Sequence, residues 1–209
     1  VKIKLNDSNL KEAAVWLAER DDAMASVLRE YGFPPLWARA AGFETLVHII
    51  LEQQVSLASA NAAFQRLKSL LVDITPAGFL SLDAATLLQI GFSRQKTAYA
   101  QNLANALLNQ SFNLTELELL PDEAVRRRLT SLKGIGDWTA DIYLSECLLR
   151  PDILPKGDIA MLEAFKVLKN LPERPAHADF VAGTEHWRPW RSVGTRMLWH
   201  FYLCRRKRG

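Results

Sequence analysis

An all-α protein is predicted by two features of the sequence. Apolar residues recur at spacings of three and four rather than two, and the runs open on capping residues and close on glycine or proline. Taken in order, Val1 to Leu5 reads as a short extended start. Ser8 or Asn9 can cap a first helix to about Arg20, with Leu10, Ala13, Ala14 and Leu17 on one face. A second helix follows Asp21 and stops at Gly32, and Phe33-Pro34-Pro35 enforces an extended connector, because proline disfavours the helical region for the residue before it. From Gly42, Phe43, Leu46, Val47, Ile50 and Leu51 form one stripe, and Leu57, Ala60, Phe64, Leu67 and Leu71 form the next. The two meet at a polar corner, Glu52-Gln53-Gln54, which composition alone reads as a solvated helix end.

Thr75-Pro76 and Asp83 open two short helices, and Gly91 ends the second. A helix from Ser93 to Gln110 places Tyr99, Leu103, Ala106 and Leu107 inward and Arg94 and Lys96 at its solvent-facing start. Pro121 opens a helix carrying Arg126, Arg127 and Arg128, and another is expected from Asp137 to about Leu149. Pro151 and Pro155 forbid its continuation, so Asp158 stands at a loop-to-helix junction. Ile159, Leu162, Phe165 and Leu168 mark the apolar side of the helix that follows. Pro172 and Pro175 break that one, leaving a helix before Trp187 and a last one from Trp190 to Arg205. Connectivity suggests a central lobe over 42–150 and a second lobe from 1–41 with 151–209, with Asp158 at the seam.

Composition narrows the function. The net charge of +3 is mild, so a polyanion site must come from local clusters such as Arg126–Arg128 or the terminal Arg205-Arg206-Lys207-Arg208, the latter reading as a solvated, frayed tail. Only Cys147 and Cys204 occur, which excludes a four-cysteine iron-sulfur cluster and fits a reducing compartment. The histidines at 48, 177, 186 and 200 make no metal motif. No signal peptide or membrane-spanning apolar run is visible, so a soluble cytoplasmic protein, nucleoid-associated if bacterial, is the expectation, with no membrane partner and a monomeric state.

The stretch that carries chemistry runs from Leu132 to Asp158. Gly134 and Gly136 bracket a turn whose backbone amides can approach another surface closely, and the helix from Asp137 adds the positive end of its dipole, a seat for a phosphate oxygen. Asp158 then presents a carboxylate. Leu132-Lys133-Gly134-Ile135-Gly136-Asp137-Trp138-Thr139-Ala140, followed by Pro155-Lys156-Gly157-Asp158, resembles the helix-hairpin-helix (HhH-GPD) DNA glycosylase superfamily, with most similarity to its 3-methyladenine DNA glycosylase II group. Phe43-Glu44, Gln53-Gln54-Val55-Ser56 and Trp187-Arg188-Pro189-Trp190-Arg191-Ser192 belong to the same likeness, which extends from about Gly42 to Tyr202.

The resemblance implies a two-lobed helical fold with a DNA-binding cleft between the lobes, without the N-terminal β domain of the bacterial relative. It implies a base excision repair enzyme that flips an alkylated purine out of damaged double-stranded DNA and hydrolyses its N-glycosidic bond. Asp158 is the implied catalytic carboxylate, although an aspartate there is also an ordinary helix N-cap. Trp199 matches the position whose indole stacks on the flipped base, where cation-π attraction favours a charged base. Gln53, Trp138, Ile142 and Trp187 are the further candidates for the pocket. Gln54 is the implied wedge, and Lys133, Gly134, Ile135, Gly136, Asp137 and Thr139 the implied backbone grip. Two positions depart from the bacterial enzyme, which has leucine where Gln54 stands and tyrosine where Ile142 stands. Relatives that also nick the strand carry a lysine two residues after the second hairpin glycine; here that residue is Trp138, so no lyase activity is expected. No cofactor is required, but the carbonyls of Thr130, Leu132 and Ile135 are implied ligands of a structural Na+ or K+. Other damaged purines, deaminated or oxidised, remain open as substrates, as does a non-catalytic DNA-binding module.

Overall fold

Twelve α-helices supply most of the regular structure over residues 3–208, the part of the chain that the computed structural model describes, with side chains through Arg206, and no strand forms among them. Of the expected extended start, Val1 and Lys2 lie outside the described residues. Leu5 is buried, and its N–H donates to the carbonyl of Leu149 at 2.8 Å. The chain divides into two compact units, Val1–Ala38 with Leu144–Gly209, and Arg39–Tyr143. These boundaries fall ahead of the Gly42 and Arg150 read from the sequence.

The first unit contains α1 (Asp7–Ala18), α2 (Asp22–Tyr31), α10 (Ile159–Leu168), α11 (His177–Gly183) and α12 (Arg191–Arg208). The first cap is Asn6 rather than Ser8 or Asn9. Its side chain accepts from the N–H groups of Ser8 and Asn9, while the Asn9 side chain closes a capping box. Helix α12 packs on α1, α2 and α10 around Leu10, Leu17, Met24, Met161, Phe165 and Leu198. On α10 the buried face is Met161, Ala164 and Phe165, and Ile159 is 64% exposed, so the apolar stripe is rotated from the one expected. Helix α12 extends to Arg208, and the exposed Arg205 and Arg206 lie over the rings of Phe201 and Tyr202.

Trp187 is wholly enclosed in this core, and a Cβ at Gly194 would lie 2.3 Å from its ring, so α12 needs glycine there to pass the indole. The indole N–H donates to Asp21 at 2.9 Å. With no exposed surface, Trp187 is a core residue and not a pocket wall.

The second unit contains α3 (Phe43–Glu52), α4 (Leu57–Leu70), α5 (Pro76–Leu80), α6 (Ala84–Gln89), α7 (Arg94–Leu108), α8 (Asp122–Thr130) and α9 (Asp137–Ile142). Helix α7 packs on α3, α5 and α6, and α3 packs on α4 and α9. The buried face of α7 is Thr97, Ala100, Leu103 and Ala104, with Tyr99 half-buried. Lys96 is not at a solvated start. Its Nζ reaches in to the carbonyl of Leu51 at 2.6 Å, satisfying an end carbonyl of α3, and burial pushes its pKa down.

The helix expected from Asp137 to Leu149 stops at Ile142 and passes into a π-helical turn, Tyr143–Cys147. Widening the turn presents Ser145 to a buried arginine of α12. Arg196 donates from Nη1 to the Ser145 hydroxyl at 3.0 Å and from Nη2 to the Ser145 carbonyl at 2.7 Å. Burial lowers its pKa to about 10 against the opposing pull of Glu146, which leaves it charged at neutral pH.

Candidate functional site

The hairpin is the turn between α8 and α9. Gly134 has φ +99°, and a Cβ there would lie 2.0 Å from Cγ of Tyr99, so both backbone conformation and space demand glycine. The N–H of Ile135 donates to Leu132 at 3.0 Å and closes the turn. Gly136, by contrast, has an ordinary φ of −96°, and a Cβ on it would meet nothing within 4 Å. It occupies the N-cap of α9 without any side-chain cap, and its exposed position leaves the end of the helix open to a ligand. Lys133 is exposed beside it, whereas Ile135 is 4% exposed and anchors the turn in the core.

Two arginines of the basic cluster are already engaged. Arg126 donates from Nε and Nη2 to Oδ1 of Asp141, at 2.9 and 2.6 Å, bracing α8 against α9. Burial depresses the Arg126 pKa, but the Asp141 carboxylate outweighs it and the net shift is upward. Arg128 pairs with Glu116 at 2.6 Å. Arg127 is exposed.

The polar corner after α3 is not a solvated end. Glu52 is 8% exposed and takes a forked pair from Arg39, at 3.2 and 2.9 Å. Gln53 donates from Nε2 to the carbonyl of Gly134 and to the hydroxyl of Thr139, both at 3.0 Å. Its amide is thereby committed to the hairpin, and Thr139, 1% exposed, has its hydroxyl turned to Gln53 instead of outward to a phosphate. Gln54 follows in the left-handed region, φ +57°, exposed at the corner. Ile142 is 3% exposed, while Asp137 and Trp138 are half-buried on the first turn of α9.

Asp158 belongs to the first unit. It is 8% exposed and caps α10, with Oδ1 accepting from the N–H of Met161 at 2.8 Å. The same oxygen accepts from the indole N–H of Trp199 at 3.2 Å. Asp158 is thus the N-cap of α10, and the oxygen that caps the helix also accepts the indole N–H. Trp37 stands edge-on to Trp199, with ring centroids 6.3 Å apart and planes at 72°. Sequence reasoning missed Trp37; the run Pro34-Pro35-Leu36-Trp37 signals only a stiff connector, and its φ of +48° has no signature in a bulky residue. Holding it there costs about 1–3 kcal/mol.

A family model of the HhH-GPD superfamily base excision DNA repair proteins matches residues 47–189, which include the corner, the hairpin and Asp158. The chain belongs to this superfamily. Among HhH-GPD relatives, DNA-3-methyladenine glycosylase 1 of Schizosaccharomyces pombe is 30% identical over 161 residues, covering 75% of this chain and 71% of the relative. The alkylbase DNA glycosidase-like protein of the same yeast is 26% identical over 96% of this chain and 98% of its own. A solved structure of the S. pombe 3-methyladenine DNA glycosylase in complex with abasic DNA superposes with a TM-score of 0.83, at 27% identity, over 90% of this chain and 95% of that one.

Among the described residues, no cluster of three or more His, Cys, Asp or Glu could hold a metal, and no helix is long and apolar enough to cross a membrane. The hairpin's carbonyls are a different donor set. Thr130 ends α8, where carbonyls lack intrahelical partners, and the Leu132 carbonyl keeps a second lone pair after accepting from Ile135. Neutral oxygens of this kind fit a hard cation.

Proposed function

We propose that this HhH-GPD protein is a monofunctional DNA glycosylase that removes alkylated purines of the 3-methyladenine type from duplex DNA. The observation that carries the reading is the 3.2 Å contact between the Trp199 indole and the Asp158 carboxylate. Breaking an N-glycosidic bond leaves positive charge on the sugar, which a fixed anion stabilises, and the same carboxylate can orient the attacking water. An alkylated purine is itself cationic, so it leaves readily and is drawn to an electron-rich indole face. The two relatives named for 3-methyladenine and alkylbase chemistry support this substrate class.

The remaining roles follow from placement. The open end of α9 with Lys133 and Gly136 holds a phosphate. Gln54, exposed on its left-handed turn, fills the gap left when the base is flipped out of the stack. Gln53 holds that tip against the hairpin. If a monovalent cation binds, the carbonyls of Thr130, Leu132 and Ile135 hold it, and its chemistry is to draw a DNA phosphate toward the turn.

A second reading, DNA binding without base release, is favoured by one observation: Asp158 has a structural task as the cap of α10. One assay separates the two. Duplex DNA carrying 3-methyladenine, 1,N6-ethenoadenine, or a deaminated or oxidised purine is incubated with wild type and Asp158→Asn, and abasic sites are counted. Release of the alkylated bases by wild type and its loss in Asp158→Asn is the expected result. Binding without release from any lesion leaves the non-catalytic module.

A further inference from the structure

We infer that Trp37 is a positioning residue for base recognition: its ring holds the Trp199 indole in the orientation in which that indole both bonds Asp158 and offers a face to the base. The inference rests on the proposed role of Trp199 and deepens it. Three observations, all within one unit, carry it. The first is the ring geometry. At 72° and 6.3 Å between centroids, the two indoles are too nearly perpendicular to hold a base between parallel faces, so Trp37 acts on the tilt of Trp199 and not as a second slice of a sandwich. The second is the single hydrogen bond from Trp199 to Asp158, 3.2 Å long, which fixes one edge of the indole but leaves rotation about that edge to be stopped by something else. Trp37 meets the ring nearly at right angles and supplies that stop.

The third observation is how firmly Trp37 is held. Its backbone sits at φ +48°, where bulky residues are rarely found and persist only if the surroundings impose it. The surroundings do so through Arg196, which is completely buried and whose Nε donates to the carbonyl of Leu36 at 2.8 Å, the peptide leading into Trp37. The same guanidinium is tied to the Ser192 carbonyl and to Ser145. A half-buried aromatic kept in an unfavourable conformation by a buried cation, against the ring beside the carboxylate, is an arrangement that the stability of the core does not explain.

The test is a single-turnover series on an alkylated duplex with wild type, Trp37→Phe, Trp37→Leu and Trp37→Ala, alongside affinity for abasic-site DNA. Phe keeps an edge-to-face ring and Leu keeps only apolar volume. The expected result is a rate within about threefold of wild type for Phe and a loss of roughly tenfold for Leu and Ala, with abasic-DNA affinity within about twofold throughout, because stacking geometry and not the phosphate grip is altered. A Leu variant as fast as wild type overturns the inference, as does a loss of rate matched by an equal loss of abasic-DNA affinity, which marks a general folding defect. Wild type that releases no base removes the underlying reading as well, whereas active wild type with an active Leu variant removes this inference alone.

Discussion

Gln53 donates its side-chain amide to the carbonyl of Gly134, 3.0 Å away, and to the hydroxyl of Thr139 at the same distance, so the corner after α3 and the turn before α9 form one body. The exposed Gln54 tip is thereby fixed to the hairpin turn. Truncating Gln53 to Ala strands both partners at a part-buried site, at a cost of about 1–3 kcal/mol. The expected outcome is lower thermal stability together with a base-release rate reduced more than abasic-DNA affinity, since the grip itself is intact. Equal stability in wild type and variant by chemical denaturation would show that the bond is idle.

The two hairpin glycines should part company. Gly134→Ala forces a Cβ into the ring of Tyr99 at a φ that only glycine tolerates well, and a loss of about 3–5 kcal/mol is expected. Gly136→Ala meets nothing within 4 Å, so its stability should stay within about 0.5 kcal/mol of wild type. Its new methyl group projects into open space beside the N-cap of α9, and on the proposed phosphate grip DNA binding should weaken alike for all sequences. Unchanged affinity in Gly136→Ala takes the turn out of the DNA contact.

What was legible in the sequence is what short-range patterns encode. Capping residues at Asp21, Thr75, Asp83, Ser93 and Asp158 place helix starts correctly, and Gly32 and Gly91 place ends. The Gly-Ile-Gly spacing marks the hairpin, which folds as α8, turn and α9. What escaped depends on partners distant in the chain. Lys96 looks solvated until Leu51 is beside it, and Gln53 looks like a helix end until Gly134 arrives. The π-helical turn after Ile142 meets Arg196, some fifty residues onward, at Ser145, and Trp187 is buried in the core with its indole N–H on Asp21. Asp158 and Trp199 entered separately through a likeness to known motifs, and their hydrogen bond was not read from the sequence, because no periodicity joins the two positions.

Of the basic residues around the hairpin, the exposed Lys133 should behave as a phosphate contact and Arg126 should not. Lys133→Ala is expected to weaken binding across sequences and to reduce the slope of log affinity against log salt by about 1. Arg126→Ala instead removes two charge-assisted hydrogen bonds to Oδ1 of Asp141, which is 2% exposed, and should destabilise the fold by about 1–3 kcal/mol. Salt titrations of DNA affinity paired with urea melts distinguish the two. A salt slope unmoved by Lys133→Ala would place the phosphate elsewhere.

The resemblance to the superfamily implies that Trp138 stands where strand-nicking members have a lysine, and an indole has no amine to form a Schiff base with the sugar. Borohydride added during turnover should therefore trap no covalent protein–DNA adduct, and abasic product should accumulate without strand scission. An abundant trapped species would identify another amine, with Lys133 the first to substitute.

Acid sensitivity should centre on Asp21. Burial raises its pKa, but the hydrogen bonds from Lys169, Trp187 and His186 outweigh that cost and lower it from 3.8 to about 2. The folded state thus holds this carboxylate ionised at a pH where the unfolded chain has protonated it. For a depressed carboxylate the stabilisation is complete above the unfolded value, near pH 4, and is lost as pH falls toward 2. The shift corresponds to about 2 kcal/mol. Asp21→Asn removes both the charge that pairs with Lys169 at 2.7 Å and the titration. Its stability at pH 6 should be lower than wild type, and its decline between pH 4 and 2.5 shallower. Melts at closely spaced pH values measure both slopes, and parallel declines would assign the acid transition to other carboxylates.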